Sequence, residues 1–239
     1  MFGWRARIGL LIPSNNAVIE PEFARMAPEG VAVHGARVVC GVEPPERLDR
    51  KLREAETQAA RLADTKVNVI AYACLATSFF RPDGWSGVFS RKIEEDTGMP
   101  CLTAESALLE ALQRVGAKRL AVATPQPSTR NAHVGRLFAH AKFEVRSIRS
   151  LEIGDLTDVN RPGPEVAYGL GREAAAASPE ADAVCILATD FRTIEAIEPL
   201  ERDLGKPVIT NNQAIFWACL RRAGLRCPVP GFGRLLREP

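Results

Sequence analysis

The chain has 239 residues, 46% of them hydrophobic, enough for a substantial core in one large domain or two small ones. Its 31 basic and 29 acidic side chains leave a net charge of +2. There is no positive excess to neutralise a phosphate backbone, so a nucleic-acid partner is not expected. No stretch reaches the roughly 18 to 20 apolar residues of a membrane span, and the apolar run in the opening MFGWRARIGLLIPS is too short for a secretory signal. The expectation is a cytoplasmic protein without membrane contact.

Short apolar runs bounded by turn residues alternate with segments of helical period. Ile8 to Ile12 and Val31 to Val39 read as strands, with a helix over Val18 to Met26 between them. A long helical pattern from Arg47 to Ala63 leads to a strand from Val67 to Ala73, and Ser106 to Val115 reads as the next helix. The second half gives strands at Leu120 to Thr124, Glu144 to Ser147, Ala183 to Leu187 and Pro207 to Thr210. Helices are predicted at Thr129 to Ala141, Pro164 to Ala177, Thr193 to Leu204 and Gln213 to Ala223. The pattern is that of an α/β fold with mainly parallel sheets flanked by helices.

The order repeats. IGLLIPSNN opens the first half and LAVATPQPS the second, while VNVIAYACLATSF and ADAVCILATDFRT hold the third-strand position of each. Two registers compete. Aligning the LATSF and LATDF letters pairs Cys74 with Ile186; aligning the strand starts pairs Cys74 with Ala188 and keeps the turn residues Asn68 and Asp182 together. The second needs no gap through the strand and is preferred. Ligands of open α/β sheets bind beyond the carboxyl ends of strands. Two facing copies would therefore turn Ser14 to Asn16, Cys74 to Ser78, Pro125 to Ser128 and Ala188 to Arg192 into one cleft.

Six cysteines, Cys40, Cys74, Cys101, Cys185, Cys219 and Cys227, are scattered without a CxxC pair, so free thiols are expected. His34, His133 and His140 lack metal-ligand spacing, and no zinc or other metal is expected. No G-x-G-x-x-G, Walker loop or G-x-S-x-G elbow is present. Chemistry must then come from side chains and backbone donors.

Cys74 ends an apolar strand and precedes small and hydroxylated residues, where backbone N–H groups become free and a thiolate can be stabilised. A buried, inert thiol is the alternative, since free cysteine is among the most buried residue types. Ser14, Asn15 and Asn16 follow the first strand, where they can either hold a carboxylate or cap a helix. Arg192 can pair with a second carboxylate or stay solvated at its helix start.

IGLLIPSNNAVIEPEF, VNVIAYACLATSFF and the segment from Arg192 through LGKPVITNNQAIFWACLRRAG, in this order, resemble the maleate isomerase and arylmalonate decarboxylase branch of the aspartate/glutamate racemase superfamily. The resemblance runs over nearly the whole chain. It implies two pseudo-symmetric Rossmann-like domains, residues 1–115 plus 211–239 and residues 116–210, with the site between them and neither metal nor organic cofactor. It also implies a small-molecule carboxylic acid as substrate and a homo-oligomer.

In the isomerases a cysteine after the third strand attacks the double bond, and Cys74 falls on that position, with Leu75 in agreement. Asn16 matches the asparagine that holds a substrate carboxylate, and Ser14 lies in the same loop; Ala76, Gln126, Ala188, Thr189 and Asp190 complete the expected binding wall. The second cysteine of the family falls on Ala188. A tyrosine after T-P is replaced by Gln126, and a second asparagine by Leu156. The implied function is cofactor-independent cis-trans isomerisation of a small unsaturated dicarboxylic acid. The alternatives are an arylmalonate-type decarboxylase with one cysteine proton donor, or a degenerate carboxylate-binding protein.

Overall fold

In the computed structural model, which describes residues 2–238, strand and helix alternate from the start. The first half contains β1 (Ala6–Pro13), α1 (Ile19–Met26), β2 (Val31–Val38), α2 (Pro45–Asp64), β3 (Val69–Tyr72), α3 (Ala76–Phe79), α4 (Trp85–Thr97), β4 (Cys101–Thr103) and α5 (Ala104–Arg114). The second contains β5 (Arg119–Thr124), α6 (Asn131–His140), β6 (Glu144–Ser150), α7 (Pro164–Ala176), β7 (Ala183–Ile186), α8 (Ile194–Leu204), β8 (Val208–Thr210), α9 (Asn211–Arg222) and α10 (Arg234–Arg237).

The strands form two four-stranded sheets, ordered β2-β1-β3-β4 and β6-β5-β7-β8, with every pair parallel. The central strands are apolar and buried on both faces, as a sheet covered on both sides requires. This is the fold class expected from the sequence. The elements missing from that reading are the region from Trp85 to Thr103 and two four-residue helices. Three-residue β4 is too short to show alternation, and α4 carries only Ser86, Phe89 and Ile93 as buried residues.

The two halves share one turn at the strand entrance. Asn68 Oδ1 accepts the Arg7 N–H while the Asn68 N–H donates to Arg7 O. In the second half Asp182 Oδ1 accepts the Lys118 and Arg119 N–H groups, and the Asp182 N–H donates to Arg119 O. The side chain at the strand entrance thus pins β3 to β1 and β7 to β5 in the same way. Ile8 then lies beside Val69 and Leu120 beside Ala183, so Cys74 corresponds to Ala188 and the preferred register is the correct one.

Capping repeats as well. Thr103 accepts from the Ser106 N–H to open α5, and Thr210 accepts from the Gln213 N–H to open α9, each in a reciprocal capping box. Helix α9 is buried over ten consecutive residues, Asn211 to Leu220, which demands partners on every face. It packs against α5, α1 and both sheets. One apolar cluster runs from Ile8 and Val69 of the first sheet through Phe216 of α9 to Leu120 and Ile186 of the second. The carboxyl ends of β1, β3, β5 and β7 are thereby held around a common cleft.

Candidate active site

The last ladder bond of β3 is made by Ala73, whose N–H donates to Leu11 O at 2.9 Å. The chain then turns, with the Cys74 N–H donating to Tyr72 O at 3.1 Å, before α3 begins. That turn delivers the Cys74 side chain to the cleft while leaving it 6% exposed.

Helix α2 supplies its partner. The buried residues of α2 are Leu48, Lys51, Ala55, Ala59 and Leu62, a spacing of three and four that marks one apolar stripe. Lys51 lies on that stripe and is 1% exposed. Its Nζ donates to Cys74 Sγ at 3.1 Å. Thr77 Oγ1, on α3, also donates to Sγ at 3.5 Å. The Tyr72 hydroxyl lies 2.8 Å from Thr77 Oγ1; donating there, it leaves the threonine proton for sulfur. Burial alone pushes the thiol up, but the Lys51 charge and the Thr77 and Lys51 hydrogen bonds outweigh it, and the Cys74 thiol lies below its ordinary value.

The other buried thiols go the opposite way. Burial pushes Cys101 up to about 12 and raises Cys185 and Cys219 further. Cys40 is also raised, by burial first. Cys185 sits inside β7, so it does not replace the second thiol.

On the second-half wall, Leu187 donates its N–H to Ala123 O at 2.9 Å, as Ala73 does to Leu11. Ala188 follows with φ of 88°, outside the region L-residues prefer. Its N–H donates to Asn211 Oδ1 at 2.9 Å. Thr189 Oγ1 donates to Ala73 O at 3.1 Å and so ties the two strand ends together. Burial pushes the Asp190 carboxyl up to about 6, against the pull of Lys51 and Asn15.

The cleft is narrow, with a cavity volume of about 40 Å³. From the first half it is lined by Pro13, Asn15, Cys40, Gly41, Val42, Lys51, Cys74, Leu75, Ala76 and Phe79; from the second by Thr124, Gln126, Leu156, Leu187, Ala188, Thr189 and Asp190. Seven of the residues singled out from the sequence thus meet: Cys74, Leu75, Ala76, Gln126, Ala188, Thr189 and Asp190. The Gln126 side-chain oxygen is buried with no protein partner among the described residues.

Ser14 and Asn16 are outside that lining. The Ser14 hydroxyl accepts the Cys40 N–H at 3.2 Å on an exposed loop. Asn16 is buried behind the wall: Oδ1 accepts the Val18 and Ile19 N–H groups, and Nδ2 donates to Thr189 Oγ1 at 3.2 Å. Arg192, two residues before α8, pairs with Glu195 in the first turn of that helix at 3.6 Å and is outside the cleft lining.

Lys51 was not singled out from the sequence, whereas Asn15, from the stretch Ser14 to Asn16 expected at the cleft, does line it. A signal for Lys51 existed, namely a lysine in phase with the apolar stripe of its helix. Among the described residues, no group of three His, Cys, Asp or Glu side chains could hold a metal, and no helix is long and apolar enough to cross a membrane.

A cleft between two parallel sheets, with one activated thiol at a strand end, can be compared with known proteins. The model of the arylmalonate decarboxylase family matches residues 8–236. The chain belongs to that family. Its family relatives include the maleate isomerase of Pseudomonas putida strain KT2440, 31% identical over 96% of this chain and 96% of the relative. The arylmalonate decarboxylase of Bordetella bronchiseptica is 28% identical over 97% of this chain and 96% of the relative. Among solved structures of similar proteins is a cysteine-to-serine variant of Nocardia farcinica maleate cis-trans isomerase with a covalently bound succinylcysteine intermediate. It matches with a TM-score of 0.88 and 28% identity, covering 97% of this chain and 98% of that one. This family member is therefore an enzyme of the family that holds these isomerases and decarboxylases.

Proposed function

We propose that this enzyme is a cis-trans isomerase of a small unsaturated dicarboxylic acid, with Cys74 as nucleophile. The observation that carries the reading is Cys74 Sγ at a strand end in the cleft, with the Lys51 ammonium donating to it. The covalent cysteine adduct of the Nocardia isomerase supports the same chemistry. In the first step the thiolate pair forms a bond to one alkene carbon, and the π pair moves onto the neighbouring carbon and its carboxylate as an enediolate. The former double bond rotates. The enediolate pair then re-forms the alkene, the C–S bond breaks, and its pair returns to sulfur. No proton is consumed, so Ala188 in place of a second thiol does not stop the cycle.

Leu75, Ala76, Gln126, Ala188, Thr189 and Asp190 form the binding wall in this reading. Asn16 acts through Thr189, whose hydroxyl it orients, and Ser14 through the Cys40 loop. The division into 1–115 plus 211–239 and 116–210 is supported by the packing of α9 on α5 and α1. We place the enzyme in the cytoplasm, where a reducing environment keeps Cys74 free, and expect a homo-oligomer, to be checked by sedimentation.

A second reading rests on the apolar part of the cleft. Val42, Leu75, Phe79, Leu156 and Leu187 suit a bulky substituent, as on a disubstituted malonate. Loss of carbon dioxide would leave an enediolate, and Cys74 would protonate its carbon. Proton NMR of the protein with maleate and, separately, phenylmalonate decides between them, beside a Cys74→Ala control. Fumarate formed only with Cys74 present supports the isomerase; phenylacetate supports the decarboxylase and sinks the first reading; silence with both, and with related acids, leaves a binding protein.

A further inference from the structure

We propose that Lys51 is a catalytic cation of the cleft. It holds the Cys74 sulfur as a thiolate in the resting enzyme, and becomes the counter-ion of the substrate carboxylate once sulfur has bonded to carbon. The first half stands on geometry alone; the second rests on the function proposed above.

An ammonium buried to 1% exposure has lost its hydration, and the cost of several kcal/mol is recovered only with an anion in contact. Among the described residues no carboxylate lies within 4.0 Å of Lys51 in an ion pair, although fifteen other pairs form. The side-chain partner of Nζ is Cys74 Sγ at 3.1 Å. Ionising the thiol gives both groups what they lack: the ammonium gains an anion, and the sulfur accepts charge-assisted bonds from Lys51 and Thr77.

The groups facing this pair come from every neighbouring element. Tyr72 approaches from β3 and Thr77 from α3. Cys40 acts from the loop after β2 and Asp190 from the opposite wall, while Arg47 bears on Cys40 and Arg81 on Tyr72. Asp190 attracts Lys51 across the cleft, with no ion pair between them among the described residues.

Addition changes this balance. The thiolate becomes a neutral thioether while the electron pair of the alkene is carried to the substrate carboxylate. A lysine fixed on the rigid stripe of α2 would then again be a buried cation without an anion, unless that carboxylate lies beside it. Lys51 thus selects substrates with an acid group adjacent to the carbon chain that sulfur attacks.

The test uses purified full-length protein, with Lys51→Met to keep the packing and remove the charge, Lys51→Gln should the Met variant misfold, and Lys51→Arg to restore charge. The ultraviolet absorbance of the thiolate is titrated against a Cys74→Ser background. Alkylation of Cys74 by iodoacetamide and by iodoacetate is followed by mass spectrometry. Removal of the charge should move the thiolate titration up and slow iodoacetamide at neutral pH by roughly tenfold or more, with Lys51→Arg recovering much of the loss. The preference for iodoacetate over iodoacetamide should also fall. Unchanged titration and alkylation in a folded Lys51→Met or Lys51→Gln protein would overturn the proposal, and so would equal losses in the Met and Arg variants, which would assign the effect to packing. An unchanged iodoacetate preference would overturn the second half. None of these readouts needs turnover, so failure with maleate is distinguishable from failure here.

Discussion

Glu22 of α1 caps the first turn of α8: its Oε1 accepts the Thr193 N–H at 2.7 Å and the Ile194 N–H at 3.2 Å. Its other oxygen accepts from Asn212 Nδ2 at 2.7 Å. One buried carboxyl therefore joins α1, α8 and α9. The same Asn212 amide donates to Thr189 O at 3.0 Å, so the bridge ends at the wall of the cleft.

Burial pushes Glu22 up to about 7 from an ordinary 4.5, against the pull of the three donors. A raised folded value contributes stability that is fully present below 4.5 and lost as pH rises through about 7. The wild-type protein should thus lose about 3 kcal/mol between these limits from this group. Urea unfolding across that window should show the slope in wild type and its absence in Glu22→Gln. A slope that survives the substitution would show that another group causes it.

Cys74→Ser should leave the far-ultraviolet circular dichroism unchanged and reduce turnover by roughly 10³-fold or more. The hydroxyl would stay protonated beside Lys51, because its ordinary acidity is too weak for that cation to ionise. Activity near wild type in this variant would remove Cys74 from the mechanism.

Thr77→Val removes a donor to Cys74 Sγ and the partner of the Tyr72 hydroxyl. The acid limb of the pH–rate profile should move up, because Thr77 helps to hold the Cys74 thiol down. Stability should fall by about 1 to 3 kcal/mol from the stranded Tyr72 hydroxyl. A limb that stays in place while stability falls would make Thr77 structural only.

The Asp190 carboxyl, held up at about 6 by burial, faces the same cleft as the proposed acid substrate. Below that pH it is neutral; above it, its charge opposes a second anion. KM for a dicarboxylate should rise with pH through this region in wild type and stay flatter in Asp190→Asn. Identical KM profiles in the two proteins would place the substrate away from Asp190.

Much of this arrangement was legible in the sequence, and for local reasons. Asn68 and Asp182 mark the entrances of β3 and β7 because a short polar side chain there completes the ladder. Aligning them was enough to pair Cys74 with Ala188. Lys51 was hidden by its chemistry: in PERLDRKLREAETQAARLAD a lysine reads as one more solvated charge, and only its phase with Leu48, Ala55, Ala59 and Leu62 betrays it. The place of Asn16 could not be read either. An asparagine after a strand can cap a helix or meet a ligand, and here its oxygen is taken by the start of α1 while its amide reaches 173 residues along the chain to Thr189. Contacts of that range depend on how the two halves face each other, which periodicity does not encode.

The left-handed backbone at Ala188 bears on how readily this active site could change hands. Such a conformation costs an L-residue on the order of 1–3 kcal/mol, and the alanine already carries that cost, shared by any other residue with a Cβ. Ala188→Cys should therefore fold with stability within about 0.5 kcal/mol of wild type, and a larger loss would show that the wall cannot accommodate sulfur. What separates a one-thiol site from a two-thiol site in this scaffold is then a single side-chain atom, not a backbone that would have to be rebuilt.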